Sequence, residues 1–96
     1  MELKKLVEDS YRIAKEHGFW DADKSIPTKL MLIVTELGEA CEAHRHGDMD
    51  NFREELADTY IRLADLCGYM EIDISAEIEK KQKKNEGRPK LHGKKY

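Results

Sequence analysis

Two pairs of carboxylates lie inside stretches of the chain that otherwise repeat as apolar helix: Glu36 with Glu39, and Glu55 with Asp58. The i, i+3 spacing within each pair places both members on one face of a helix. Four ionised carboxylates on neighbouring helices would repel one another, and removing them from water would be costly unless a cation lay between them. Mg²⁺ and Mn²⁺ prefer such an all-oxygen ligand set. The pattern therefore predicts a helical fold around a divalent-metal site, with these four residues as the metal ligands.

Ordinary surface salt bridges are the alternative explanation, and they account for part of the pattern. Arg62 lies four residues after Asp58 and three before Asp65, the spacings of intrahelical ion pairs. They explain Glu36 poorly, because Glu36 shares its helical arc with apolar side chains and has no basic residue three or four positions away. We therefore favour a metal site for the four carboxylates taken together.

Apolar residues recur at helical spacing and predict an all-α fold of about four helices. The first helix is expected from about residue 2 to 17, the second from the N-cap Ser25 to about residue 46, the third from Asp48 or Asp50 to about residue 68 or 70, and a short fourth after the N-cap Asp73. Gly18 and Gly47 supply the C-terminal stops of the first two helices. Because residues 47–51 form only a short connection, helices two and three should make an antiparallel hairpin that brings the carboxylate pairs together.

Helices two and three each carry a wide apolar surface, more than a lone hairpin can bury. The main stripes are Leu30, Ile33, Val34, Leu37, Cys41 and His44 on helix two and Phe52, Leu56, Tyr60, Leu63, Cys67 and Met70 on helix three, which also carries a face of Ala57, Ile61, Ala64 and Gly68. Pairing two hairpins across a two-fold axis would complete a four-helix bundle, so we expect a homo-oligomer, a dimer or a tetramer. The face with the small side chains is the expected place of close contact between copies. Cys41 and Cys67 are expected to be reduced core thiols of a cytoplasmic protein.

Charge is distributed unevenly along the chain, whose formal net charge is −3. From Lys80 onward there are eight Lys or Arg residues against Glu86 alone. An acidic body with a basic tail suits a metal site and a phosphate-bearing ligand, and the alternative is a solvated tail with weak, non-specific affinity for nucleic acid. We expect no specific nucleic-acid partner. We also expect no membrane span and no signal peptide, since the sequence shows no run of about 18 apolar residues and no apolar segment near Met1.

The carboxylate pairs also resemble a known family. Two segments are similar to the E-x-x-E, E-x-x-D box of the MazG-like nucleotide pyrophosphohydrolases, which are members of the all-α NTP pyrophosphatase superfamily. The segments are Thr35-Glu36-Leu37-Gly38-Glu39-Ala40 and Glu54-Glu55-Leu56-Ala57-Asp58. Lys84-Asn85 and Arg88-Pro89 with His92-Gly93-Lys94 resemble the closing segment of small MazG-like proteins. The resemblance covers helices two and three and the tail. We accordingly divide the chain into a helical domain, residues 1–85, and a basic tail, residues 86–96, with phosphate contacts expected in the tail.

The resemblance implies Mg²⁺-dependent cleavage of an NTP or dNTP between the α- and β-phosphates, yielding a monophosphate and pyrophosphate, as in housecleaning of the nucleotide pool. Carried over by position, Glu36, Glu39, Glu55 and Asp58 become the catalytic metal ligands, and Lys81, Lys84, Asn85, Arg88 and Lys94 become candidates for holding the substrate phosphates. Two other functions stay open. One is phosphoribosyl-ATP pyrophosphohydrolase, against which the Arg-Pro and His-Gly-Lys tail argues, and the other is a non-catalytic helical module that binds nucleotide or partner proteins.

One position departs from the family pattern, and one loop allows two interpretations. The family box often opens with two adjacent glutamates, the first of which is thought in some members to help activate the attacking water, and here Thr35 stands in its place. The general base is therefore open between a metal-activated water and one of the four ligands. Phe19 and Trp20 are expected to anchor the first loop onto the helices, with stacking on a nucleobase as the alternative.

Overall fold

Helices make up the regular secondary structure of residues 1–88, the part of the chain that this computed structural model describes. They are α1 (Leu3–Glu16), α2 (Ile26–Arg45), α3 (Met49–Tyr69) and α4 (Ile74–Glu86). Residues 1–88 contain no strand, so the predicted all-α fold of about four helices is confirmed. None of these helices is both long enough and apolar enough to cross a membrane.

The helix boundaries follow from side chains that the sequence places there. Ser25, Asp48 and Asp73 are the N-caps of α2, α3 and α4, and each side chain accepts a hydrogen bond from the backbone N–H three residues further on. Gly18 and Gly47 follow the C-terminal ends of α1 and α2 with φ angles of 82° and 71°. A residue without a Cβ adopts this left-handed backbone at little cost, so both predicted stops are confirmed.

The third helix is the centre of the fold, because α1 and α2 both pack against it. The approach of α1 is close at Gly68, where an added Cβ would lie 2.6 Å from the Cβ of Tyr11. Ala64, one turn earlier, is also buried. Both positions were expected to meet a second copy of the chain. For Gly68 that expectation was wrong, since the glycine already accommodates α1 of its own chain.

The core lies where the first loop meets α2 and α3. Trp20, Ile33 and Leu66 are its buried members, and Tyr69 is among the partly buried residues packed against them. The indole of Trp20 stacks parallel to the ring of Tyr69 with 3.8 Å between the ring centroids. Phe19 meets Trp20 edge to face. The prediction that these two aromatic residues anchor the first loop is therefore confirmed.

Much of the apolar surface of the hairpin stays outside this core, which agrees with the prediction that the hairpin carries more apolar surface than it can bury alone. The large apolar side chains of the hairpin that remain 37–69% exposed are Leu30, Met31, Val34 and Leu37 on α2, Met49, Leu56, Tyr60, Ile61 and Leu63 on α3, and Met70 just after α3. Cys41, on the main apolar stripe of α2, is exposed, so its assignment to the core was wrong, whereas Cys67 is buried as predicted. Both cysteines are free thiols. The larger apolar side chains of α2 stay exposed because this helix turns its narrower arc, with the small residues Ala40 and Ala43, toward α3.

The fourth helix is longer than predicted and stands apart from the other three. It extends to Glu86 and has no buried residue. The extensive helix contacts in residues 1–88 are those of α3 with α1 and α2, so α4 projects beyond the three-helix body. Lys81 and Lys84 therefore lie on an ordered, exposed helix.

Candidate metal centre

Three of the four predicted carboxylates come together between α2 and α3. Glu36 and Glu39 on α2 and Glu55 on α3 each offer one carboxylate oxygen, and these three oxygens lie within 4.8 Å of one another. The antiparallel hairpin produces this arrangement, because it sets the middle of α2 beside the first half of α3. Glu36 and Glu55 are partly buried and Glu39 is exposed, so the cluster opens to solvent on the side of Glu39.

Glu55 is the member of the cluster that has a buried oxygen, Oε2, without a hydrogen-bond partner in residues 1–88. The neighbouring Glu36, followed by burial and by Glu39, raises the pKa of Glu55 to about 7. Two ionised carboxylates are both acceptors, so the Glu36–Glu55 contact becomes a hydrogen bond only when one of the two holds a proton. A buried acceptor beside two further acids is a position that a divalent cation would satisfy.

Glu36 has a positively charged partner that the sequence reasoning missed. Arg62 on α3 donates from Nε to Oε1 of Glu36 over 2.9 Å, with side-chain exposures of 34% for Arg62 and 13% for Glu36. The contact with Glu55 and then this guanidinium lower the pKa of Glu36, against the opposing effect of burial. The alternative explanation from the sequence paired Arg62 with Asp58 and Asp65 in its own helix. A usable signal was its position seven residues after Glu55, which places both on the same face of α3.

Asp58 is not part of the three-carboxylate cluster. It lines a groove between α1 and α3, together with Phe19, Ile61 and Arg62, that encloses about 550 Å³. Residues of α1, such as Ile13 and Ala14, line this groove with it, so Asp58 lies on the α1 side of α3. Its short side chain also reaches less far than that of a glutamate. The structure therefore brings Glu36, Glu39 and Glu55 together and leaves Asp58 in the adjoining groove.

Three of the five predicted phosphate-holding residues lie on α4, away from the carboxylate cluster of the same chain. Lys81, Lys84 and Asn85 are exposed on α4, and Arg88 follows the end of that helix. Lys94 lies outside the described residues. Because α4 makes no extensive contact with α2 within residues 1–88, Lys81, Lys84 and Asn85 do not border the cluster of their own chain.

Two polar contacts that local sequence patterns did not reveal hold the first loop against α2 and α3. The indole Nε1 of Trp20 donates to Oδ1 of Asp65 over 2.8 Å, and Nζ of Lys29 donates to the carbonyl oxygen of Phe19 over 2.6 Å. Asp65 and Lys29 are only 3% and 6% exposed. Burial raises the pKa of Asp65, while the Trp20 hydrogen bond and the charges of Lys29 and Arg62 oppose that rise. Asp65 is thus a buried anchor and not a solvated partner of Arg62.

A second groove, of about 570 Å³, adjoins the cluster at the loop end of the hairpin. Thr35, Glu39, His46, Asp48 and Glu55 are among its lining residues. The hydroxyl of Thr35 donates to the carbonyl oxygen of Met31 in its own helix over 3.0 Å. The cluster is therefore flanked by a groove that reaches Glu39 and Glu55, and by the α1–α3 groove that contains Asp58.

Comparison with known proteins identifies one family. Residues 24–92 match the family model of the MazG nucleotide pyrophosphohydrolase domain, a range that includes both carboxylate pairs. No curated protein and no solved structure gave a significant match.

Proposed function

The chain belongs to the MazG nucleotide pyrophosphohydrolase family, because the matched range spans well over half of it, and we propose that it is a Mg²⁺-dependent NTP pyrophosphohydrolase. The proposed reaction cleaves an NTP or dNTP between the α- and β-phosphates and releases a monophosphate and pyrophosphate. The observation that carries the proposal is the buried, unpartnered Oε2 of Glu55 beside Glu36 and Glu39. A buried carboxylate oxygen without a hydrogen-bond donor is costly, and binding a cation would remove that cost.

The residues present fit a hard divalent ion. Glu36, Glu39 and Glu55 supply three oxygen donors without nitrogen or sulfur among them, the donor set that suits Mg²⁺ or Mn²⁺. Asp58 remains a proposed further ligand one helical turn after Glu55, although its carboxylate lies in the adjoining groove and would have to turn toward the ion. A bound ion would neutralise phosphate oxygens and lower the pKa of a coordinated water. The protein holds the carboxylates ready for this on two packed helices.

The proton of the attacking water needs an acceptor, and Thr35 does not provide one. A hydroxyl is a poor base at neutral pH, and that of Thr35 is engaged with the backbone of α2. A bound ion would acidify the water, and we propose that one of the four carboxylates Glu36, Glu39, Glu55 and Asp58 takes its proton. The raised pKa of Glu55 describes the cluster without metal, and a cation bound to its carboxylate would lower that pKa.

The phosphates of the substrate are proposed to meet the basic segment of a second copy. Lys81, Lys84, Asn85, Arg88 and Lys94 remain the proposed phosphate-holding residues, and the first three lie on a helix that projects from the body. The exposed apolar side chains of α2 and α3 support assembly, because a second hairpin would remove them from water. We therefore propose a homodimer or tetramer in which one copy's α4 approaches the carboxylate cluster of another.

A panel of common NTPs and dNTPs tests the proposal, with release of pyrophosphate and of orthophosphate measured separately in the presence of Mg²⁺. Glu55→Gln should abolish pyrophosphate release. Glu54→Gln removes an exposed acid one residue away and should retain it. Hydrolysis of phosphoribosyl-ATP alone would reassign the substrate. A protein that binds nucleotide and Mg²⁺ but hydrolyses nothing would refute the enzymatic function.

A further inference from the structure

Arg62 is the cation that the described part of the chain pairs with the carboxylate cluster. Its Nε lies 2.9 Å from Oε1 of Glu36, and its Cζ lies 5.2 Å from the ring centroid of Phe19. The guanidinium is therefore held between an acid of α2 and an aromatic face of the first loop. Both partners restrict its position, because arginine combines directional donors with a planar face that packs on aromatic rings.

The position of Arg62 has opposite consequences for the chain with and without a metal ion. Without metal, a guanidinium charge beside Glu36 offsets part of the repulsion among Glu36, Glu39 and Glu55, and arginine keeps this charge at every physiological pH. With a divalent ion in the cluster, the same charge repels the ion. Because Arg62 engages Oε1, it also leaves the second oxygen of Glu36 for other partners.

We propose that Arg62 is a resident counter-cation: it stabilises the folded chain while the carboxylate cluster holds no metal, and it lowers the affinity of the cluster for divalent ions. The inference rests on the proposed function, since it concerns the same metal site. It assigns Arg62 a positioning and electrostatic role and no contact with the reacting atoms. Metal affinity would then be set by the balance between three acids and one fixed positive charge.

Two other roles for Arg62 make different predictions. A residue that mainly orients Glu36 for the metal would weaken metal binding when removed. A residue that only ties α2 to α3 would lower stability when removed and leave metal affinity unchanged. A counter-cation lowers the stability of the metal-free chain when removed and tightens metal binding. Measuring stability and metal affinity on the same variants therefore separates the three roles.

The test uses Arg62→Gln, which removes the charge and retains a polar side chain. In EDTA its melting temperature should fall by about 5 °C relative to the wild type. Its dissociation constant for Mn²⁺, measured by isothermal titration calorimetry, should fall about tenfold, the effect expected from removing one positive charge close to a divalent ion in nearly aqueous surroundings. Arg12→Gln removes an exposed arginine paired with Glu16 within α1 and should change neither quantity. Mn²⁺ binding that is unchanged or weaker in Arg62→Gln would overturn the inference.

A double variant keeps the test decisive if Arg62→Gln folds poorly. Glu36→Gln removes the acid that Arg62 neutralises, so Glu36→Gln with Arg62→Gln should recover at least half of the melting temperature lost in EDTA. A double variant that melts as low as Arg62→Gln, or lower, would contradict the counter-cation role. A wild type that binds Mn²⁺ but hydrolyses no nucleotide would refute the proposed enzymatic function and leave the inference intact, whereas a wild type that binds no Mn²⁺ would overturn both.

Discussion

Replacing Asp65 with alanine should reduce the free energy of unfolding by about 2–3 kcal/mol, the cost of leaving a buried donor without its charged partner. The donor is the indole N–H of Trp20, whose side chain lies at the centre of the core with only 4% of the residue exposed. Its distance of 2.8 Å to Oδ1 of Asp65 is that of a strong hydrogen bond. In Asp65→Ala no other acceptor replaces that oxygen, so the N–H stays buried and unsatisfied.

The expected loss is large but should leave the protein folded. A domain of 96 residues has a total stability of roughly 5–15 kcal/mol. Losing about 2–3 kcal/mol corresponds to a fall of roughly 10–20 °C in melting temperature for a chain of this size. Urea unfolding is the appropriate assay, followed by the fluorescence of Trp20, the single tryptophan of the chain. Circular dichroism on the same samples checks that the transition is two-state.

Two control variants define what would refute this reasoning. Asp65→Asn keeps a carbonyl oxygen for the indole and removes the charge, so it should lose less than half as much stability as Asp65→Ala. Asp9→Ala removes an acid of α1 whose partner Lys5 is largely exposed, and it should leave the urea midpoint unchanged. Equal losses in Asp65→Ala and Asp65→Asn would show that the charge matters and the hydrogen bond does not. A loss in Asp65→Ala no larger than in Asp9→Ala would refute the anchoring role altogether.

Three further predictions concern pH, the backbone and assembly. The pKa of Glu55 is raised from 4.5 to about 7, so between these pH values the folded metal-free chain holds a proton that the unfolded chain releases. The urea midpoint in EDTA should therefore fall as the pH rises from about 4.5 to 7. Glu55→Gln should reduce this fall and leave the contribution of Asp65, whose pKa is also raised, and a flat wild-type profile would contradict the prediction. Glu71 has a φ angle of 56°, in the left-handed region that glycine adopts at little cost. In thermal unfolding, Glu71→Gly should therefore raise the free energy of unfolding by about 1 kcal/mol, whereas Glu71→Ala retains the backbone strain and should gain no stability. Equal effects of the two variants would refute the backbone explanation. Val34 and Leu63 are 53% and 44% exposed and belong to the apolar surface proposed to contact a second copy. Changing both to glutamate should convert the proposed oligomer into a monomer, which light scattering at micromolar concentration would detect. The prediction fails if the wild type is already monomeric.

Features that depend on local sequence were largely predictable. An N-cap needs only one side chain and the backbone three residues on, which is why Ser25, Asp48 and Asp73 were recognised. The glycine stops Gly18 and Gly47 depend on a single backbone angle. The hairpin followed from a short connection and brought Glu36, Glu39 and Glu55 together as predicted.

Contacts between distant parts of the chain were not predictable from the same rules. The Arg62–Glu36 ion pair joins residues 26 positions apart, and the Trp20–Asp65 hydrogen bond joins residues 45 positions apart. Intrahelical spacing gives Arg62 two acidic neighbours in its own helix, and nothing in that spacing indicates that a third acid on α2 takes the guanidinium. Only the orientation of α2 on α3 decides which acid is its partner.

That orientation could not be derived from the sequence, because two arcs lie side by side on α2 and the pattern does not show which of them packs on α3. One arc has larger apolar side chains, such as Val34 and Leu37, which remain exposed. The other has Ala40 and Ala43, and it is the face that packs on α3. Small side chains let two helices approach closely, so backbone proximity favours that face although its individual residues are less hydrophobic.

The choice of face links the carboxylate cluster to the need for a partner. Turning the alanine arc inward carries Glu36 into the helix interface, where its charge requires compensation from Arg62 or from a metal ion. The same rotation leaves Val34 and Leu37 at the surface, where burial would gain free energy only against another molecule. A single rotation of α2 therefore creates an acidic site inside the hairpin and an apolar surface outside it. If the apolar surface is covered by a second hairpin, the orientation of Glu36 is fixed from both sides, and disrupting assembly should loosen the metal site even though no metal ligand is changed.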